Sequence, residues 1–396
     1  MTLPVFSIAR LPRIEFGRGV FEAVPGRVAG FGTRVLLVTG AGSFDSSPRW
    51  PWLQEALAAR GLEWHRVRVD GEPSPELVDR TVARFGDAGI EVVLGIGGGS
   101  ALDAAKAIAG LLPIGDTVMD YLEGVGPGKP YAGPALPFIA VPTTAGTGSE
   151  ATKNAVLSRR GRDGFKKSFR DERLVAEYAL VDPDLLASCP PAVIAANGMD
   201  ALTQLIESYV SLRANPICDA LNLDGLRAVR DGLLPLHDSA GADAAARERM
   251  ALASLLSGIN LAQTGLGSVH GLAAPLGAFH PIPHGVACGT LLAAATERNI
   301  EAMRERDPDN PALARYARLG ELLWQRHWRD PDEAHARLLD RLRAWSDQLA
   351  MPRLSAYGIG AGDLDHIVAH SRGSSMRTNP IVLRDDEIRW ILEQRL

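Results

Sequence analysis

The chain has 396 residues, of which 46% are hydrophobic and 22% charged, and its formal net charge is −5. This length predicts two domains at about 100–200 residues each, and the mild acidity argues against nucleic acid or an anionic membrane as the main partner. Three cysteines without a Cys-x-x-Cys pair favour a reducing compartment. The sequence has neither a leader-like pattern nor an apolar run of about 18 residues, so we expect a cytoplasmic protein that spans no membrane.

As far as about residue 185, short β-branched runs alternate with helical patterns. The predicted strands are Arg34–Thr39, Trp64–Val69, Glu91–Leu94, Pro137–Val141 and Tyr178–Val181. The predicted helices between them are Trp50–Arg60, Pro75–Phe85 and Ala101–Leu112. Strands separated by helices predict crossover connections and a mostly parallel sheet in an α/β domain.

Beyond Pro190-Pro191 only helical periodicity remains. The longest helical patterns are Ala192–Ser211, Ile217–Leu234, Ala244–Gln263 and Val286–Arg298, and charged helical segments follow near 309–349, 363–370 and 385–396. We therefore predict an α/β domain over residues 1–188 and an all-helical domain over residues 189–396.

Two glycine-rich loops follow predicted strands of the first domain. The first, Gly95–Ser100, opens a helix, and the second, Pro142–Glu150, is rich in threonine. Glycines let backbone N–H groups approach a phosphate closely, and a helix N-terminus adds positive partial charge. A tight strand-to-helix turn is the simpler interpretation of one such loop, but two loops at the carboxyl ends of parallel strands favour an extended dinucleotide.

Three histidines fall within fifteen residues: His270, His280 and His284. The small residues between them favour close packing and a turn. Upstream, Asp200 and Gln204 lie at i and i+4, on one face of a predicted helix. One aspartate and two histidines form a nitrogen and oxygen ligand set suited to Fe²⁺ or Zn²⁺. Buried, hydrogen-bonded histidines are the alternative.

A second histidine pair, His366 and His370, has the same i, i+4 spacing near the C-terminus. The segment around it is polar, and the sequence offers no third ligand nearby. We predict a solvated helix face there.

Taken together, five segments resemble the iron-containing alcohol dehydrogenase family, whose fold is shared with glycerol dehydrogenase and dehydroquinate synthase. They are GGGSALDAAKAIA, PTTAGTGSEAT, ALVDPDL, NGMDALTQLIESYVS and GxxHGLAAPLGAFxxxPHGVA. The resemblance runs from about Phe16 to Pro380. It implies a dehydroquinate synthase-like fold, with an active site between the two domains.

The resemblance also implies roles for individual residues. The pyrophosphate loop corresponds to Gly97, Gly98, Gly99 and Ser100, and the residues around the ribose and nicotinamide to Ser74, Thr143, Thr144, Thr147, Thr152 and Lys166. The metal ligands correspond to Asp200, His270 and His284.

This sequence departs from the family pattern at three positions. Gln204 stands where a fourth metal-ligating histidine is usual, so the metal is held by three residues, held loosely with the amide, or absent. Ala274 stands where a histidine often assigned to proton relay is usual, which makes His280 the candidate proton donor, with the ribose hydroxyls and solvent as the other route. Gly40 stands where NAD-preferring members often carry Asp, which slightly favours NADP(H).

The resulting hypothesis is a metal-dependent, NAD(P)-linked alcohol dehydrogenase or aldehyde reductase that takes a small alcohol or aldehyde. A metal-free reductase like the maleylacetate reductases is the alternative, for which Arg213 and Arg377 are candidate binders of a dianion. A cyclising lyase and a non-catalytic nucleotide-binding protein rank lower. Relatives commonly form dimers through an N-terminal strand, so we expect a homodimer that pairs through Val5–Ile8.

Overall fold

The computed structural model describes residues 5–396, which separate into two compact units. One unit consists of residues 9–159 and 164–189 and contains every strand of the described chain. The other consists of residues 190–396, the segment 160–163 and, among the described N-terminal residues, 5–8. The predicted fold class, an α/β part with a parallel sheet followed by an all-helical part, is confirmed.

A six-stranded parallel sheet forms the centre of the first unit. The strands of this unit are β1 (Arg13–Phe16), β2 (Arg34–Gly40), β3 (Glu63–Val69), β4 (Val92–Gly97), β5 (Phe138–Pro142), β6 (Asn154–Arg159), β7 (Phe165–Arg170) and β8 (Tyr178–Val181). The sheet has the order β1-β8-β5-β4-β2-β3, and every neighbouring pair is parallel. Strands β6 and β7 form a separate antiparallel hairpin that was not predicted, because their sequences, NAVLSR and FKKSFR, carry little regular alternation.

Helices cover both faces of this sheet. The helices of the first unit are α1 (Val24–Ala29), α2 (Arg49–Ala58), α3 (Pro75–Phe85) and α4 (Gly99–Leu111). Successive side chains of a strand point to opposite faces, and β2 is apolar on both. Val35 and Leu37 join the core cluster with α1 and α2, whereas Leu36 and Val38 join the cluster with α3 and α4. Burial on both faces explains why β2 is a continuous apolar run.

The second unit is built from nine further helices among the described residues. They are α5 (Pro191–Val210), α6 (Pro216–Asp238), α7 (Ala244–Thr264), α8 (Ser268–Phe279), α9 (His284–Arg306), α10 (Pro311–Trp324), α11 (Pro331–Gln348), α12 (Leu364–Ala369) and α13 (Asp385–Glu393). Helix α5 packs against α6, α7 and α9 and is buried along most of its length. Across residues 5–396, no helix is both long enough and apolar enough to cross a membrane.

Candidate metal centre and nucleotide loops

Three helices of the second unit carry the predicted metal ligands. Asp200 lies on α5, His270 on α8, and His284 is the first residue of α9. The turn expected among the three histidines lies at residues 280–283, between α8 and α9, whereas the helix α8 itself was not predicted. The small residues of α8 permit close packing, since a Cβ at Gly271 would lie only 2.8 Å from the Cε of Met376.

The three side chains converge on one buried point. The Nε2 atoms of His270 and His284 lie 3.3 and 3.8 Å from Oδ1 of Asp200. Asp200 is fully buried, and neither of its carboxylate oxygens has a hydrogen bond of acceptable geometry within the described residues. A carboxylate facing two imidazole nitrogens without hydrogen bonds is costly to bury unless a cation is shared between them. The donor set therefore fits a divalent metal ion.

Cys288 completes the cluster, and the sequence analysis did not single it out. The ligand atoms of Asp200, His270, His284 and Cys288 all lie within 4.8 Å of one another. Cys288 follows His284 by one helical turn, so the i, i+4 spacing on α9 was the signal that was available. The structure contains three free cysteines, and Cys288 is the one placed beside the predicted ligands.

Burial and the neighbouring groups have opposite effects on the pKa values of Asp200 and His270. Burial by itself would raise the pKa of Asp200, but the imidazoles of His284 and His270 bring it below its ordinary value. Burial by itself would lower the pKa of His270, but Cys288, Glu207 and Asp200 raise it well above its ordinary value. Burial raises the pKa of the Cys288 thiol to about 12. A metal ion that binds here would displace protons from the ligand atoms, and its positive charge would stabilise the buried carboxylate.

Glu207 orients His270 from behind and was also not predicted. Its Oε2 lies 2.6 Å from Nδ1 of His270, and its Oε1 accepts the backbone N–H of Val269 at 2.7 Å. With the Nδ1 proton held by Glu207, the Nε2 atom faces Asp200. A carboxylate bonded to the outer nitrogen of a ligating histidine is a common support of metal sites. Glu207 is seven residues after Asp200, on the same face of α5, which is a signal that sequence inspection can find.

Two further predicted residues of the second unit, Gln204 and His280, have other surroundings in the described structure. Gln204 is buried on α5, and its Oε1 accepts a hydrogen bond from Oγ of Ser257 at 2.7 Å. His280 follows α8 directly and is half-buried. His366 on α12 and His370 directly after it are both exposed, as expected, and their rings contact Phe279 in tilted and edge-on arrangements.

In the first unit, the two glycine-rich loops pack directly against each other. The loop after β4 ends where α4 begins at Gly99, and the backbone N–H of Thr143 donates to the carbonyl of Gly97 at 2.9 Å. A Cβ at Gly99 would lie 2.7 Å from Cγ2 of Thr147. The first N–H groups of α4 have no partner within the helix, so they are available to an anion. The remaining predicted residues of these loops are Gly98, Ser100 and Thr144.

Behind these loops lies a buried lysine that was not predicted, Lys106 of α4. Its Nζ donates to three oxygen atoms, namely Ser149 O at 2.9 Å, Thr152 Oγ1 at 2.8 Å and Asn154 O at 2.7 Å. It also lies 3.1 Å from Oδ1 of Asp103. Thr152, a predicted ribose contact, is therefore held inside the protein by Lys106. Burial lowers the pKa of Lys106 and raises that of the neighbouring Glu150 to about 7.

Three other predicted nucleotide residues are spread over the first unit. Ser74 caps α3, because its Oγ accepts the N–H of Leu77. Lys166, on β7, forms an ion pair with Glu72. Gly40 ends β2, and a Cβ there would meet open space.

Comparison with known proteins shows which family this sequence and fold resemble. Two family descriptions match: iron-containing alcohol dehydrogenase over residues 12–183, and the C-terminal part of the Fe-containing alcohol dehydrogenase family over residues 194–396. Alcohol dehydrogenase 4 of Saccharomyces cerevisiae is 32% identical over 392 residues, which cover 97% of each chain. Lactaldehyde reductase of Escherichia coli is 33% identical, covering 74% of this chain and 76% of its own. A crystal structure of 1,3-propanediol oxidoreductase matches with a TM-score of 0.89 and 28% identity, covering 99% of this chain and 100% of its own.

The chain belongs to the iron-containing alcohol dehydrogenase family. It is a metal-dependent alcohol or aldehyde oxidoreductase, which confirms the predicted reaction class. Family membership implies a nicotinamide cofactor, NAD or NADP, and a divalent metal.

Proposed function

We propose that the protein catalyses reversible hydride transfer between C4 of a nicotinamide cofactor and the carbinol carbon of a small alcohol. Asp200, His270 and His284 would hold the metal, with Gln204 beside them. The observation that carries this proposal is the buried Asp200 carboxylate, which faces two imidazole nitrogens and has no acceptable hydrogen bond in the described chain. The nucleotide function belongs to residues 1–188, and the metal and substrate functions belong to residues 189–396.

The chain's own residues prepare the reaction in three ways. The metal would supply Lewis acidity toward the substrate oxygen, and the nicotinamide would donate or accept the hydride. Glu207 holds the imidazole of His270 in one orientation through its Nδ1 proton. Lys166 would steady the nicotinamide ribose, and His280 would donate a proton to the substrate oxygen or accept one from it.

The nucleotide would lie along the two loops that follow β4 and β5. The backbone of residues 97–100 would bind the pyrophosphate, since it opens α4 with its N–H groups unpaired within the helix. The packing of Thr147 onto Gly99 supports a shared surface for one extended ligand. The ribose and nicotinamide contacts are assigned to the set Gly40, Ser74, Thr143, Thr144, Thr147, Thr152 and Lys166.

We favour NADP(H) slightly over NAD(H). Gly40 offers no carboxylate to repel a 2′-phosphate. In the loop that follows it, Asp45 is neutralised by Arg66 and Arg68 of the neighbouring strand β3. The side chain of Arg68 is 59% exposed, so its guanidinium is available to a phosphate. The ratio of kcat/KM for NADPH and NADH, measured for the wild type and Arg68→Ala, tests this preference.

Two assignments concern the protein as a whole. Val5, Phe6 and Ile8 are exposed apolar side chains at the start of the described chain, which supports pairing with a second copy in a homodimer. Free thiols at all three cysteines support a reducing, cytoplasmic environment. Molar mass in solution, compared for the wild type and Val5→Asp/Ile8→Asp, tests the dimer.

The decisive experiment is metal analysis of protein purified without chelator, combined with an NADPH and NADH oxidation screen. Short aldehydes, including lactaldehyde and 3-hydroxypropanal, are suitable probes because relatives are named for lactaldehyde and 1,3-propanediol. We expect about one equivalent of iron or zinc, turnover that is lost on chelation, and loss of activity in His270→Ala. Turnover that persists without metal would transfer the assignment to a metal-free reductase. No cofactor-dependent turnover at all would favour a binding protein.

A further inference from the structure

Cys288 occupies a place in the metal cluster that no predicted ligand fills. Its Sγ lies 3.6 Å from Nε2 of His270 and 3.8 Å from Nε2 of His284, and the residue is fully buried. The thiol therefore lies close to the inner nitrogens of both predicted histidine ligands and can donate its one proton to only one of them.

The separations agree with those of ligands around one ion. With bond lengths of about 2.3 Å to sulfur and 2.0–2.1 Å to nitrogen, a tetrahedral site places sulfur and nitrogen about 3.6 Å apart, and nitrogen and oxygen about 3.3–3.5 Å apart. The sulfur-to-nitrogen distances here are 3.6 and 3.8 Å. The corresponding distances from Asp200 to the two imidazoles are 3.3 and 3.8 Å. These four separations therefore agree with ligands around one ion, and all four ligand atoms lie within 4.8 Å of one another.

Gln204, on α5, already uses one of the two lone pairs of its amide oxygen in a hydrogen bond. Its amide oxygen, the only atom of that side chain suited to a cation, accepts the hydroxyl of Ser257 on α7. An amide oxygen is also a weaker ligand than a thiolate for a borderline-soft ion. The fourth protein ligand is thus more readily supplied by α9 than by α5.

We propose that Cys288 is a metal ligand, so that this chain holds its ion with Asp200, His270, His284 and Cys288. The inference rests on the proposed metal site and changes its ligand set. On binding, the thiol proton passes to solvent and the thiolate coordinates the ion. Because thiolate is a soft ligand, this set selects zinc over iron. With these four residues holding it, the ion would still supply Lewis acidity toward a substrate oxygen, since catalytic zinc sites can expand to five ligands.

Cobalt substitution tests the proposal without relying on activity. Thiolate coordination gives Co²⁺ a sulfur-to-metal charge-transfer band in the near ultraviolet, whereas nitrogen and oxygen ligands alone do not. We expect the band in the wild type and in the control Cys218→Ser, which alters a buried free cysteine of α6. In Cys288→Ser the band should disappear while visible Co²⁺ absorption remains. Zinc affinity should fall at least about tenfold, since even loss of a residue supporting a ligand costs about 10- to 100-fold.

The outcomes separate this inference from the proposed function. One equivalent of Co²⁺ bound to the wild type without a charge-transfer band would overturn the role of Cys288 and leave the site of Asp200, His270 and His284 intact. Failure of the wild type to bind any Co²⁺, Zn²⁺ or Fe²⁺ would overturn the metal site of the proposed function as well. Because the wild-type spectrum already decides the point, the conclusion does not depend on whether Cys288→Ser folds. Equal retention of zinc and iron from an anaerobic equimolar mixture would overturn the zinc selectivity.

Discussion

Oε2 of Glu207 lies 2.6 Å from Nδ1 of His270, and both side chains are almost completely buried. Glu207 is on α5 and His270 is on α8, so this contact joins two helices and at the same time sets the orientation of a predicted metal ligand. Glu207→Gln keeps the shape of the side chain but removes its charge. We expect metal affinity to fall by about 10- to 100-fold, as is typical when a residue supporting a ligand is changed.

Competition with a coloured chelator measures that affinity directly. Glu301→Gln, which removes an exposed carboxylate from α9, is the matched control and should bind metal as the wild type does. Unchanged affinity in Glu207→Gln would mean that His270 is positioned by helix packing alone.

Metal binding should stabilise the folded protein, because an ion that binds the folded cluster, where the carboxylate of Asp200 has no acceptable hydrogen bond within the described residues, does not bind the unfolded chain equally. At a free metal concentration of one hundred times the dissociation constant, the expected gain in the free energy of unfolding is about 2.7 kcal/mol. Thermal unfolding with and without metal measures the gain. His270→Ala should lose most of it, whereas His366→Ala, on an exposed helix face, should retain it. An equal gain in both variants would place the bound metal elsewhere.

Lys106→Met should destabilise the first unit. The change keeps the apolar stem but leaves Asp103 and Glu150 without a buried cation, and three oxygen acceptors lose their donor. Removal of one partner from a buried ion pair costs about 3–5 kcal/mol. Lys129→Met is the control, since its ion pair with Asp120 is exposed and such pairs contribute about 0–1 kcal/mol. Urea denaturation of both variants measures the difference, and similar losses would contradict this account.

Glu150 should make stability depend on pH. Its pKa is about 7 in the folded protein, whereas an unburied glutamate has a pKa of 4.5. Between these two pH values the folded protein therefore binds more protons than the unfolded chain does. The free energy of unfolding should therefore fall as pH rises from 4.5 to 7, because the charged form is disfavoured inside the protein. Glu150→Gln cannot ionise and should show a flatter profile over that interval. Parallel profiles for wild type and variant would show that Glu150 titrates normally.

Gly99→Ala should weaken nucleotide binding. The added Cβ would lie 2.7 Å from Cγ2 of Thr147 and would push the two loops apart. Overpacking of this kind costs about 1–3 kcal/mol, which predicts a dissociation constant raised about tenfold or more. Quenching of protein fluorescence by NADPH or NADH measures it. Gly42→Ala, where a Cβ meets open space, should bind the nucleotide normally. Normal binding by Gly99→Ala would show that the loop at Gly99 does not contact the nucleotide.

The fold class followed from local signals in the sequence. The alternation of apolar runs with helical periodicity depends on neighbouring residues only, and it located β2, β3 and the long helix α5 to within a few residues. It did not predict α8, whose glycine, alanine and proline content obscures the helical pattern. In the folded chain these small residues allow α8 to pack closely against Met376, which is more than a hundred residues away.

The resemblance to a family identified Asp200, His270 and His284 from sequence alone, although seventy residues separate the first two. The tertiary structure decided what surrounds them. It turns Gln204 toward Ser257, sets Glu207 behind His270 and brings Cys288 beside both histidines. These relationships depend on how α5, α8 and α9 pack in three dimensions. The periodicity of a single helix specifies which face a residue occupies, but only the packing of helices distant in sequence specifies which atom that face meets.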